Sequence, residues 1–285
     1  MQGIDAAIEA EVQAKLGALA SQHQVTIISA IESGSRSWGF PSPDSDYDVR
    51  FVYAHASEWY IQLNPERDVI ELPVNAVLDI GGWDVRKAMA LANSGNSVIQ
   101  EWMISPLVYR EDAAQAAMLR EMVASTFNAR ASFHHYSSMA KSMVAALDAP
   151  DIKLKRFFYI SRATLSALWI AREHSMPTTV FPDLLQALTD DAAVLEAFQR
   201  QIRDKATKTE AETGVVDPLC LAFVREAYRE VMATDIERLA PRREALGNED
   251  LRAFLSVCQA VMPIPRLGSL VASSFAENSE AANGL

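Results

Sequence analysis

Residues 31–52 constrain this chain more than any other stretch: Ile-Glu-Ser-Gly-Ser-Arg-Ser-Trp-Gly-Phe-Pro-Ser-Pro-Asp-Ser-Asp-Tyr-Asp-Val-Arg-Phe-Val. A β-branched run over residues 25–31 reads as a buried strand and leads straight into Gly34-Ser35. Residues 46–53 then alternate as a second strand. Strand side chains alternate faces, so Asp46 and Asp48 project together. Two carboxylates that close repel each other unless a cation stands between them. Hard oxygen ligands suit Mg²⁺, which also carries phosphates. The Gly34-Ser35 turn offers backbone N–H groups and a hydroxyl to phosphate oxygens. Metal and phosphate cradle together point to nucleotide chemistry. Two other readings compete. Ser-Pro-Asp-Ser-Asp suits a solvated turn. Asp44, Asp46 and Asp48 also match the start of a calcium loop. That loop needs Gly at its sixth position and Glu at its twelfth, where this chain has Val49 and His55.

Two-metal phosphoryl transfer calls for a third carboxylate. Asp79 lies inside an apolar segment, Val77-Leu78-Asp79-Ile80-Gly81. An Asp there is costly unless it is paired or bound to metal. Capping of the following loop is the plainer alternative. Asp68 and Asp84 compete for the role. Asp68 is explained by a salt bridge to Arg67 or a neighbour, and Asp84 by first-turn helix charge.

The pattern predicts a helix over residues 4–20, strands over 25–31, 46–53, 68–72 and 75–80, and helices over 57–63, 83–93 and 97–104. Gly81-Gly82 reads as the end of the last strand. Beyond residue 111 the pattern is helical, over 111–123, 130–147, 151–173, 192–208, 217–238 and 249–261. Pro150, Pro177, Pro182, Pro218 and Pro241 read as punctuation between them. The expected architecture is an α/β (α+β) domain with a mixed sheet over residues 1–110, a helical domain over 111–272 and a flexible tail over 273–285.

Net charge is −11, which argues against broad nucleic-acid binding. The sign reverses within 141–175, where Lys141, Lys153, Lys155, Arg156, Arg162 and Arg172 outnumber Asp148, Asp151 and Glu173. A polyanion would be met there. Lys155, Tyr159 and Arg162 share one helix face. The two cations suit a triphosphate and the ring suits a base; an amphipathic helix with Tyr159 in the domain seam is the alternative. Arg36 and Arg50 each read two ways, as a phosphate contact or as a partner of the acidic groups. Cys220 and Cys258 match no ligand spacing and read as buried thiols. No apolar run is long enough for a membrane span, and the N-terminus lacks the basic and apolar regions of a signal peptide. A cytoplasmic location is expected.

Gly34-Ser35, ten residues, Asp46-Tyr47-Asp48 and a later strand carboxylate resemble the DNA polymerase β-like nucleotidyltransferase superfamily. The resemblance is closer to a bacterial and phage subgroup carrying Gly-Ser-Arg-x-Trp-Gly-Phe and Asp-Ser-Asp-Tyr-Asp-Val-Arg-Phe, some of whose members are encoded beside RNA ligases. It covers most of the chain to about residue 170. It implies transfer of a nucleoside monophosphate from a triphosphate, ATP foremost. Gly34 and Ser35 would hold the β- and γ-phosphates. Asp46 and Asp48 would bind two Mg²⁺ (or Mn²⁺) ions, with Asp79 on the catalytic one and orienting the attacking hydroxyl. RNA, as a tRNA or a broken end, is the acceptor implied by the subgroup. Protein adenylylation, small-molecule transfer of the aminoglycoside type and a non-catalytic antitoxin-like module are the alternatives. Arg130 and His135 have the Arg-x₄-His spacing of some helical nucleases, a pattern common by chance.

Overall fold

The computed structural model describes residues 4–64, 66–74, 77–149, 151–240 and 245–259. The expected tail over 273–285 and the end of the expected 249–261 helix lie outside them, as do Pro150 and Pro241. Helix α1 (Ala6–His23) starts at Asp5, whose carboxylate accepts from the N–H groups of Ala7 and Ile8. Its buried stripe, Val12, Leu16 and Leu19, lies at helical spacing. Strand β1 (Thr26–Glu32), the single turn α2 (Gly34–Ser37) and strand β2 (Tyr47–Ala54) follow. Then come α3 (Ser57–Tyr60), β3 (Val69–Glu71), β4 (Leu78–Asp84), α4 (Val85–Asn93), α5 (Ser97–Met103) and β5 (Val108–Glu111). The five strands form one mixed sheet in the order β3-β4-β2-β1-β5. Only β2 and β4 run parallel.

One face of the sheet packs Ile27, Phe51, Tyr53 and Ile80 against α1. The other packs Ile28, Ile31 and Val52 against α4, α6 (Ala113–Ser125) and Trp102 of α5. The remaining helices are α7 (Ala129–Met143), α8 (Leu154–Glu173), α9 (Phe181–Leu188), α10 (Ala192–Lys205), α11 (Pro218–Ala233) and α12 (Asn248–Gln259). Helix α12 returns to the sheet, burying Phe254 and Cys258 in the core that α6 shares. Helix α8 is the axis of the helical part, with Phe157, Phe158, Ile160 and Leu165 fully buried. Two-residue strands β6 (Ile152–Lys153) and β7 (Thr213–Gly214) pair at its start. Among the described residues no helix is long and apolar enough to cross a membrane.

Phe40, in the loop between α2 and β2, ties the two parts together. It is fully buried, stacks on Phe158 at 4.9 Å and meets Phe181 edge-on at 5.6 Å. Burying such a ring stabilises by about 2–3 kcal/mol. It also fixes the loop that carries Ser45 and Asp46 against α8.

Three local readings are corrected. Strand β4 runs through Gly81-Gly82 to Asp84 instead of ending there. Gly82 is glycine for packing: a Cβ there would lie 2.3 Å from the Phe51 ring. Trp83 and Asp84 therefore belong to the strand, and the helix starts at Val85. Pro182 and Pro218 stand within the first turns of α9 and α11, where a missing N–H costs nothing. Strand β5, paired with β1, forms one edge of the sheet.

Candidate active site

Parallel pairing of β2 with β4 puts Asp48 directly beside Asp79. Arg50, two residues along β2 on the same face, spans both. Its Nη2 donates to Asp48 Oδ1 at 3.0 Å and to Asp79 Oδ2 at 2.6 Å. Its Nη1 donates to the Asp79 carbonyl at 2.9 Å. Asp46 stands one residue before the strand and is exposed. Burial pushes the Asp48 carboxyl up; Arg50 opposes that, and the charges of Asp46 and Asp79 add to it.

The Gly34 backbone closes over Asp48. Its φ is +62°, a left-handed conformation, and a Cβ there would lie 2.1 Å from Asp48 Oδ2. The glycine is required twice, by backbone angle and by this approach. Next to it, the buried Ser35 donates to Ser45 Oγ at 3.2 Å. Behind Asp48 lies Glu32, fully buried at the end of β1. Its carboxylate accepts from Tyr109 Oη at 2.6 Å and from the Asp48 N–H at 3.1 Å. Burial raises its pKa to about 7 against the opposing pull of those bonds.

The donor set suits a hard divalent cation: carboxylate oxygens only, with mutual repulsion that a cation would relieve. The Gly34 cradle leaves Asp48 Oδ2 free of any side chain on that side. Among the described residues no three carboxylate, histidine or cysteine side chains form a finished chelate. Arg50 supplies the positive charge between Asp48 and Asp79.

Helix α8 brings Lys155 and Tyr159 toward this face, with Arg162 further along the same helix on Trp38. The Lys155 and Asp48 charges act on each other across the seam. Burial alone would lower the Lys155 pKa; its bond to Glu210 Oε2 at 2.5 Å holds it above the ordinary value. Tyr159 meets Trp38 edge-on at 5.2 Å, and Asp48 and Lys155 both act on its hydroxyl. Arg162 is buried, paired with Glu101 Oε1 at 2.6 Å and stacked on Trp38 at 3.9 Å. Arg36 stacks on Tyr47 at 3.7 Å and donates to the carbonyls of Ser45 and Asp46. Its guanidinium holds the loop in front of the carboxylates.

Two residues outside the sequence reading enter the site. Glu32 is one. Glu210 is the other: it binds Lys155, accepts from Ser45 Oγ at 3.0 Å, and its N–H donates to Asp44 Oδ1 at 2.9 Å. An acid closing an apolar strand was the available signal for Glu32; nothing near Glu210 in sequence marks it. The competing carboxylates have other partners. Asp68 pairs with Lys87 at 3.0 Å. Asp84 caps α4 and accepts from Tyr60 Oη, with His55 Nδ1 at 3.0 Å. Arg130 pairs with Glu237 and bonds the Leu239 carbonyl, and His135 meets Tyr136 edge-on at 5.0 Å.

The model of the RNA repair pathway DNA polymerase beta family matches residues 8–248. A Bacillus subtilis (strain 168) protein, the uncharacterized protein YcgL, is 35% identical over 252 residues, covering 87% of this chain and 95% of its own. A nucleotidyltransferase-like protein from Exiguobacterium sibiricum 255-15 aligns over 95% of this chain and 92% of its own, at 12% identity and a TM-score of 0.28. The family match spans both the carboxylate strands and the helices that face them, and the chain belongs to the RNA repair pathway DNA polymerase beta family, as a nucleotidyltransferase of the polymerase β type.

Proposed function

We propose that this chain moves a nucleoside monophosphate from a nucleoside triphosphate, ATP foremost, to a hydroxyl of RNA. The observation that carries the reading is the Asp48–Asp79 pairing under the Gly34 cradle. Asp46, Asp48 and Asp79 would hold Mg²⁺ or Mn²⁺, two ions in all. When bound, these ions would neutralise phosphate charge and stabilise the charge that builds at the α-phosphate. The chain's own groups do the rest. Gly34 presents a backbone with no side chain in the way of phosphate oxygens, and Ser35 adds its N–H and hydroxyl. Lys155 adds a cation from α8, and Tyr159 a ring face. Arg36 fixes the loop that carries Asp46. Arg162 braces Trp38, against which Tyr159 rests.

Asp79 accepts the hydrogen bond of the attacking hydroxyl and sets its direction. The hydroxyl oxygen forms a bond to the α-phosphorus, the bond from that phosphorus to the β-phosphate oxygen breaks, and pyrophosphate leaves. The hydroxyl proton passes to water. The test is incubation with each α-labelled NTP and Mg²⁺, offering total RNA, protein lysate and an aminoglycoside separately. Label in the RNA fraction supports the reading. Label only in protein or in the small molecule keeps the chemistry and replaces the acceptor.

A further inference from the structure

Three rows of side chains cross the sheet on the face that bears the carboxylates. Cross-strand partners point the same way, so register defines each row. The first is Asp48–Asp79. The second is Arg50–Gly81–Glu71. The third is Val52–Trp83–Val69. Along β4, Asp79, Gly81 and Trp83 are the half-open positions, and the alternate residues are buried. A cavity of about 570 Å³ stands over this floor, reaching from Asp79 and Arg50 past Gly81 to Trp83 and Trp102. The two indoles stack at 3.9 Å and 21° and form its apolar wall.

Gly81 is the informative residue. Its backbone φ is not positive, so the strand does not require glycine there. A Cβ would meet only ordinary contacts, 3.6 Å from Glu71 Cγ and 3.9 Å from Arg50 Nη1. Its neighbour Gly82 is explained by the Phe51 ring; Gly81 has no such reason. Glycine inside a strand weakens it. What Gly81 gains is an open floor between a carboxylate and an aromatic wall, edged by Arg50, whose Nη groups are held by Asp48 and Asp79, and by Glu71, which Arg67 pairs.

We infer that this cavity is the acceptor subsite and that it receives the terminal nucleotide of an RNA 3′ end, ribose at Asp79 and base against Trp83. A flat base matches the indole wall, and ribose hydroxyls match the Asp79 carboxylate at the other end of the floor. An aminoglycoside offers no flat face for the indoles. The assignment rests on the transfer reading above and adds where the acceptor binds and which residue keeps the place open.

The experiment titrates the full chain with a short single-stranded oligoribonucleotide carrying a free 3′ hydroxyl, read by indole fluorescence. Wild type, Gly81→Ala and Gly81→Val are compared, with ATP and Mg²⁺ titrated in parallel. The inference expects graded loss of RNA affinity, about tenfold or more for valine. ATP affinity should stay within about twofold, and melting temperature should equal or exceed that of wild type, since strand glycine is costly. Undiminished RNA binding by Gly81→Val overturns it, as does equal loss of RNA and ATP, or a wild type that does not bind the oligonucleotide. The two readings fail separately. RNA binding that depends on Gly81 without label transfer sinks the transfer reading and keeps the subsite. Label transfer to RNA that Gly81→Val leaves intact keeps the transfer reading and sinks the subsite.

Discussion

Arg50 and Asp79 sit on neighbouring parallel strands and join at 2.6 Å, side chain to side chain. The same guanidinium reaches Asp48 at 3.0 Å, so one cation neutralises two carboxylates. Without it, Asp48 and Asp79 would face each other uncompensated. Arg50→Met is therefore expected to lose about 1–3 kcal/mol in EDTA. Mg²⁺ should recover most of that loss, since an ion that binds only the native state raises its stability. Thermal melts of wild type and Arg50→Met across a Mg²⁺ series check this. A variant whose loss is the same at every Mg²⁺ concentration would place no divalent ion between the two acids.

Lys155 and Arg162 differ in burial and partners although they share a helix face. Lys155 is partly open toward Asp48, whereas Arg162 is 6% exposed at its side chain and pairs with Glu101. Lys155→Ala should weaken NTP binding by on the order of 1.5–3 kcal/mol with little change in stability. Arg162→Ala should instead destabilise by about 3–5 kcal/mol, because the largely buried Glu101 loses its cation and keeps only the Tyr136 hydroxyl as a donor. Fluorescent-NTP titration and urea melts on both variants distinguish the outcomes. Unchanged NTP affinity in Lys155→Ala would leave α8 outside the triphosphate site.

Much of the site is legible because it is local. Gly34, Ser35, Asp46 and Asp48 fall within one turn and one strand, where spacing alone fixes faces. The mixed sheet and the helical remainder follow from the change of period near residue 111. What escapes is set by distant partners. Gly82 breaks a strand in sequence, yet it continues one because the Phe51 ring needs its space. Glu32 gains meaning only when Tyr109 and the Asp48 N–H converge on it. Glu210 lies 55 residues beyond Lys155, in a turn with no pattern of its own. Helix α9 is masked by Pro182, which reads as a break and acts as a start.

Lys205 predicts a pH effect. Its ammonium is buried, donates to Ser42 Oγ at 2.9 Å and lies 5.7 Å from the Phe40 ring centroid. Burial pushes its pKa down from 10.5 to about 8. Between those values the unfolded chain holds a proton that the folded chain has released. Stability from this group therefore rises as pH climbs from about 8 to 10.5, and the cost is fully present below 8. Lys205→Met should remove that dependence and raise stability at pH 7 by up to about 3 kcal/mol. Denaturant midpoints at pH 7 and pH 10 for both proteins give the comparison. Equal pH slopes would show that Lys205 stays charged in the fold.

Asp46→Asn and Asp48→Asn should keep the fold, because volume hardly changes and Arg50 retains Asp79 as a partner. Asp48→Asn removes a desolvated charge repelled by two neighbours, so its melting temperature should match or exceed that of wild type. Circular dichroism melts in EDTA decide it. A large drop would mean that the Asp48 charge is structural.

The most direct measurement of the central claim is transfer of label from α-labelled ATP to RNA by wild type and by folded Asp48→Asn, each with Mg²⁺ and with EDTA. The account predicts label on RNA only for wild type with Mg²⁺, and none above background for Asp48→Asn or in EDTA. Near wild-type transfer by Asp48→Asn, or transfer that persists in EDTA, would contradict it.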